Sequence, residues 1–108
     1  MRARAEVAGI SRREALPEDR YESVAQSLSL LANKKRMEIL YLLVERDMSV
    51  GELVMGSGGS FSAISQQLKL LTLGGMLERR RDGRNIYYRL KDGDTRAILA
   101  LLTTFSAK

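Results

Sequence analysis

The chain contains neither cysteine nor histidine. Those two absences remove disulfides, thiolate chemistry, imidazole acid–base catalysis and the usual zinc sites, and they leave carboxylates as the only metal donors. A serine nucleophile would need help from a lysine or a carboxylate, yet there is no Ser-x-x-Lys motif and no spaced acid pair, so no enzyme is expected. Also missing is any run of about 18 apolar residues, the length at which a helix could span a bilayer. The first residues, MRARAEVAGISRREALPEDR, carry early arginines but lack the continuous apolar core of a secretory signal. The expected location is the cytoplasm, with no membrane partner.

What is present is a chain of 108 residues, 44% hydrophobic, enough for one domain with a modest core that gains from a partner surface. Eighteen Lys and Arg against thirteen Asp and Glu give a net charge of +5, which favours a polyanionic partner without identifying one.

The stretch from Ser60 to Leu73, SFSAISQQLKLLTL, is followed directly by Gly74 and Gly75. Ile64, Leu68 and Leu71 recur at helical spacing, so a helix here buries them on one stripe. Phe61, Ser62, Ser65, Gln66 and Lys69 are then left on a short polar outer face. Ser60 is a natural N-cap and the glycine pair a natural stop. Such a helix, following a shorter helix and a turn, suits the major groove of DNA. Ser60 and Phe61 stand at the start of this helix. Phe61 either touches a thymine methyl or folds back onto the preceding helix.

Residues 1–16 mix Arg2, Arg4, Arg12 and Arg13 with Glu6 and Glu14 and hold no sustained period, which predicts a flexible arm ahead of a domain over 17–108. Pro17, Glu18 and Asp19 suit a helix start, and Tyr21, Val24, Leu28 and Leu31 carry a first amphipathic helix to about Ala32. Asn33 caps a second, with Met37, Leu40, Tyr41 and Val44 at helical spacing to about Arg46. After a break at Asp47 and Met48, Ser49 and Glu52 have the spacing of a capping box, and Val50, Leu53 and Val54 bury a short third helix. That helix is expected to end in the glycine-rich turn Met55–Gly59. A phosphate-binding loop is excluded there, because Ser60-Phe61 stands where Gly-Lys-Ser/Thr would be required.

Beyond Gly75 the period becomes alternating. Leu77 opens one strand, and Ile86, Tyr88 and Leu90 define a second, with Asp82-Gly83 as the expected two-residue turn and Arg81 opposite Arg84. The tip would then gather Arg79, Arg80, Arg81 and Arg84, a costly arrangement unless an anion lies near, as DNA phosphate would. From Asp92 to Phe105 the pattern returns to helix. Ile98, Leu101, Leu102 and Phe105 present an apolar face expected to pack with Tyr21, Val24 and Leu28 of the first helix across a two-fold axis.

The element order, together with LANKKRMEIL (31–40), SVGEL (49–53), SFSAISQQLKLL (60–71) and GGMLERRRDGRNIYYRL (74–90), resembles the ArsR/SmtB family of bacterial winged-helix repressors over about residues 21–106. SVGEL is similar especially to the BigR/HlyU-like branch, whose members sense sulfur species or oxidants through a cysteine pair. The resemblance implies a mainly α winged helix-turn-helix with a β-hairpin wing, in the order α-α-α-α-β-β-α. It further implies a homodimer through the first and last helices, binding double-stranded DNA at an imperfect palindrome. Residue by residue, it puts Ser62, Ser65 and Gln66 at positions facing bases, with Gln67 and Lys69 nearer the DNA backbone. Tyr41 and Ser106 stand where that branch has its cysteines, so a dithiol switch is impossible in this chain. Asp92 and Asp94, near the start of the last helix, read as dipole-complementing residues rather than metal ligands. No cofactor is expected. An unidentified small-molecule effector would have a groove lined by Tyr21, Met37, Tyr41 and Phe105, although ordinary dimer core is the preferred reading of these residues. The competing class is a winged helix that binds protein rather than DNA.

Overall fold

The computed structural model describes residues 15–91 and 93–105. A 3-10 turn over Glu18–Arg20, closed by the Arg20 N–H on the Pro17 carbonyl at 2.9 Å, leads into helix α1, Tyr21–Leu31. Of α1 only Leu31 is buried, so most of this amphipathic helix lies outside the core of its own chain. Asn33 then begins helix α2, Lys34–Glu45, its side chain accepting the Arg36 N–H at 3.0 Å as an N-cap should. The buried residues of α2 are Ile39, Leu40 and Leu43. The stripe is therefore rotated from the expected Met37, Leu40, Tyr41 and Val44: Leu40 is shared, Met37 and Tyr41 are half-buried and Val44 faces outward. A uniformly apolar segment such as MEILYLLV offers several candidate stripes, and tertiary packing chooses among them.

Strand β1, Met48–Ser49, precedes helix α3, Val50–Ser57. Ser49 and Glu52 form the complete capping box, each side chain accepting the other's backbone N–H, at 3.2 and 2.9 Å. The helix does not stop at Met55 as the glycines suggested. It continues to Ser57, and the Gly58 N–H closes it on the Val54 carbonyl at 2.9 Å. Helix α4, Phe61–Leu73, follows Gly59 and Ser60, so α3, this short turn and α4 form the expected helix-turn-helix.

The wing is β2, Leu77–Asp82, paired antiparallel with β3, Asn85–Leu90. Its turn residues are Gly83 and Arg84, not Asp82 and Gly83, because Asp82 pairs with Asn85 and Arg81 with Ile86. Gly83 takes a φ of +68°, the left-handed region that tight hairpin turns require and side chains avoid. The expected Arg81–Arg84 opposition is thereby removed. The shift is two residues, so the face of each strand is preserved even though every partner changes. One element was not expected: β1 pairs with β3 through Met48–Tyr88 and Ser49–Tyr87, giving a sheet of order β1-β3-β2. Helix α5 covers Gly93–Leu102, stopping short of the expected end at Phe105, while the expected start at Asp92 lies outside the described residues. Thr103, Thr104 and Phe105 continue it as tighter turns bonded three residues back, at 3.0–3.2 Å. Ile39, Leu40, Leu43, Leu53, Ile64, Leu68, Leu71, Leu77 and Leu99 are fully buried and form one core joining α2 to α5 with the wing's base.

The arm over 1–16 lies outside the described residues except for Ala15 and Leu16, as do Asp92 and Ser106.

Candidate nucleic-acid interface

Helix α4 is fixed by its inner stripe. Ile64, Leu68 and Leu71 are fully buried, and burying each contributes about 1.5–3 kcal/mol. Ser60 caps the helix by accepting the Ala63 N–H at 3.0 Å. With that stripe anchored, the first two turns expose Phe61, Ser62 and Gln66, followed by Lys69, while Ser65 and Gln67 are half-buried. Phe61 is 61% exposed, so it does not fold back under the preceding helix. Gln67 is not free: its side-chain oxygen accepts from the Arg36 guanidinium at 3.3 Å, leaving its amide N–H groups as donors.

The wing arginines are divided by strand alternation. Leu77 and Leu90 are paired and buried, and the same face carries Arg79 opposite Tyr88 and Arg81 opposite Ile86. On the other face Arg89 binds Glu78 at 2.8 Å. Arg80 there reaches Asp47 at 3.5 Å and Asp82 at 3.9 Å, and its guanidinium lies 5.4 Å from the centre of the Tyr87 ring. Arg80 and Arg89 are thus largely satisfied within the chain. Among the described residues, by contrast, no side-chain hydrogen bond or ion pair engages Arg79, Arg81, Arg84 or Lys69. Lys69, Thr72 and Leu73 of α4 face Arg79 and Tyr88 of the wing across a concavity of about 390 Å³. Two unpaired cations, from two elements, therefore share one hollow beside the outer face of α4.

The apolar residues expected at a dimer surface are partly or largely uncovered. Leu101 is 68% and Phe105 71% exposed, Tyr21 and Leu28 about half, while Val24, Ile98 and Leu102 are half-buried. A larger hollow of about 820 Å³ lies between α2 and α3, with Met37, Tyr41 and Leu42 on one wall and Gly56 and Ser57 on the other. It contains two residues of the expected effector groove, Met37 and Tyr41. Tyr21 and Phe105 do not line it, so this hollow is distinct from the groove expected between the first and last helices. Among the described residues no three acidic side chains are grouped to hold a metal ion, and no helix is long and apolar enough to cross a membrane.

Several tertiary contacts were not anticipated, two of them from the first turn of α2. Lys35 Nζ donates to the Ser57 carbonyl at 2.9 Å, and Arg36 Nε to the Leu30 carbonyl at 2.9 Å. A signal existed: three successive cations at the N-terminus of α2 oppose its dipole and call for partners elsewhere.

A helix-turn-helix whose second helix turns a polar face outward beside a cationic β-hairpin defines a winged helix-turn-helix domain. The family model for bacterial regulatory proteins of the arsR family matches residues 33–78. The chain is 35% identical over 75 residues to the transcriptional activator HlyU of Vibrio cholerae, covering 69% of each. The crystal structure of the transcriptional repressor BigR from Xylella fastidiosa superposes with a TM-score of 0.74 at 37% identity, over 84% of this chain and 94% of that one. The homodimeric winged helix-turn-helix DNA-binding domain of Mb0332 from Mycobacterium bovis gives 0.74 at 33% identity, over 91% and 88%. The chain belongs to the ArsR family of bacterial regulatory proteins, and its similarity to these regulators supports a DNA-binding role in transcription. The cysteine pair expected of the BigR/HlyU-like branch is absent, since the chain contains no cysteine.

Proposed function

We propose that two copies of this chain bind an imperfect palindromic operator in double-stranded DNA and repress transcription by occupying a promoter. The observation that carries this reading is the hollow in which Lys69 of α4 faces Arg79 of the wing beside the polar outer face of α4, with Arg81 and Arg84 further along the same hairpin. Ser62, Ser65 and Gln66 read base edges in the major groove. Gln pairs well with adenine's adjacent donor and acceptor, and Ser serves several bases. Phe61, exposed at the helix start, supplies apolar contact to a thymine methyl, and Ser60 lies beside it at the cap. Gln67, through its amide N–H groups, and Lys69 contact backbone phosphate, and the wing arginines hold the flanking strand with no sequence preference. Arg80 takes the smaller share because Asp47 and Tyr87 already hold it.

Dimerisation uses the uncovered residues of the first and last helices: Tyr21, Val24, Leu28, Ile98, Leu101, Leu102 and Phe105. An exposed apolar surface of this kind on so small a domain is supported by a partner copy. Two-fold symmetry then presents two α4 helices to successive grooves. Sensing, where it occurs, uses neither a dithiol nor a metal. A small-molecule effector would act by binding one dimer geometry more tightly than another.

The test is enrichment of fragmented source DNA on the purified protein at moderate salt, with solution mass measured alongside. The expected result is a dimer and a short imperfect palindrome with half-site centres about 10 base pairs apart, or a small multiple of that. No enriched motif, together with a stable complex to another protein, would instead place α4 at a protein surface.

A further inference from the structure

Lys34, Lys35 and Arg36 fill the first turn of α2 with no acid among them, where the positive end of the helix dipole disfavours cations. Conversely, α1 and α3 both end without a basic residue in the last turn. Tertiary structure matches the two deficits. Lys35 donates to the Ser57 carbonyl at the end of α3, and Arg36 donates through Nε to the Leu30 carbonyl in the last turn of α1, each at 2.9 Å. Cations unfavourable on their own helix thus serve the carbonyl ends of its neighbours.

Arg36 does one thing more. Its Nη1 donates to Oε1 of Gln67 on α4 at 3.3 Å, so one guanidinium joins the end of α1 to the middle of the reading helix. A planar guanidinium can hold two acceptors at a fixed angle in a way that a single ammonium cannot. A second contact joins the same two helices. A Cβ added to Gly74, the residue that closes α4, would overlap Cδ1 of Leu30. Leu30 therefore meets α4 twice, through its carbonyl by way of Arg36 and through its side chain at Gly74.

We propose that Arg36 is a positioning residue that sets the orientation of α4 from the C-terminal end of α1, so that movement of α1 is transmitted to the reading helix. α1 also carries exposed Tyr21 and Leu28, so dimer geometry and DNA affinity are linked through this clamp. The inference rests on the DNA-binding reading above, and it concerns a residue that itself touches no DNA in that reading.

The probe is the best duplex that the wild-type chain enriches from a random-sequence library. Arg36→Met keeps an apolar stem without donors, and Arg36→Lys keeps the charge without the bridge. Each is expected to weaken binding about tenfold, the equivalent of one charged hydrogen bond, with dimer mass unchanged. Gln67→Met also removes the amide placed on phosphate, so in the Arg36→Met background it should weaken binding further, but by less than it does in the wild-type chain, because part of its effect there is loss of the same bridge. The Leu30 contact is read separately. Gly74 has a φ of −80°, open to alanine, so Gly74→Ala should weaken binding through Leu30, and Leu30→Ala in the same chain should restore it. Full affinity in Arg36→Met or Arg36→Lys, or independent effects of Arg36 and Gln67, would overturn the clamp while leaving DNA binding intact. If the wild-type chain enriches no duplex, the DNA-binding reading fails and the clamp's role falls with it.

Discussion

The hydroxyl of Tyr41 donates to the carbonyl of Leu99 at 2.7 Å, a bond between residues 58 positions apart that joins α2 to the last turn of α5. The last four carbonyls of a helix lack onward partners within it, and Leu99 is buried, so Tyr41 satisfies a group that water does not readily reach. α2 and α5 are held here by a hydrogen bond, and in a chain without cysteine no disulfide can take its place. Tyr41→Phe keeps the ring and removes only that bond. A loss of about 0.5–1.5 kcal/mol is expected. Urea unfolding checks it: the midpoint should fall while the denaturant slope stays the same.

The capping box at α3 predicts a pH dependence. Glu52 accepts the Ser49 N–H at 2.9 Å and an Arg46 guanidinium N–H at 3.1 Å. The backbone N–H of Ser49 first, and Arg46 second, hold its carboxyl below the usual value of 4.5. A carboxyl depressed in the folded state binds its proton more readily when the chain unfolds. Its contribution is therefore complete above pH 4.5 and is lost as the pH falls through the lower, folded value. Glu52→Gln retains a side chain able to cap but has no proton to gain. Denaturation midpoints measured from neutral pH downward should fall more steeply for the wild type than for Glu52→Gln in this acid range. Parallel curves would mean that Glu52 contributes nothing pH-dependent to the fold.

How far the fold could be read from sequence depended on how local each determinant was. Asn33, Ser49 with Glu52, and Ser60 cap helices through bonds three residues long, and all three positions are legible. The stripe Ile64, Leu68 and Leu71 is equally plain, because no competing apolar stripe exists on α4. In α2, where apolar residues surround Leu40, the buried face was displaced. Two residues, Met48 and Ser49, are too few to show alternation, so β1 was illegible until Tyr87 and Tyr88 were seen beside them. The hairpin register slipped by two for a related reason. Asp82-Gly83 and Gly83-Arg84 are both acceptable turns, and the pairing of Leu77 with Leu90 decides between them. Of the candidate site, the outer face of α4 was legible and the division of the arginines was not. That division depends on Asp47, Glu78 and Tyr87, whose positions follow from the register.

The same division gives a prediction about salt. Each phosphate contact releases counterions, so losing one should flatten the slope of log affinity against log salt by about 0.9. Arg79→Ala, Arg81→Ala and Arg84→Ala each remove a cation that has no partner among the described residues. Each should weaken binding to any duplex and flatten the slope by close to that amount, with little change in stability. Arg80→Ala and Arg89→Ala remove cations already paired with Asp47 and Glu78. Exposed pairs of that kind contribute about 0–1 kcal/mol to folding, so these two variants should lose a little stability and flatten the slope less. Fluorescence anisotropy on one labelled duplex over a salt series, with unfolding curves beside it, separates the two groups. If all five variants flattened the slope equally, the pairs with Asp47 and Glu78 would have to open on DNA. The wing would then act through its total charge and not through one face.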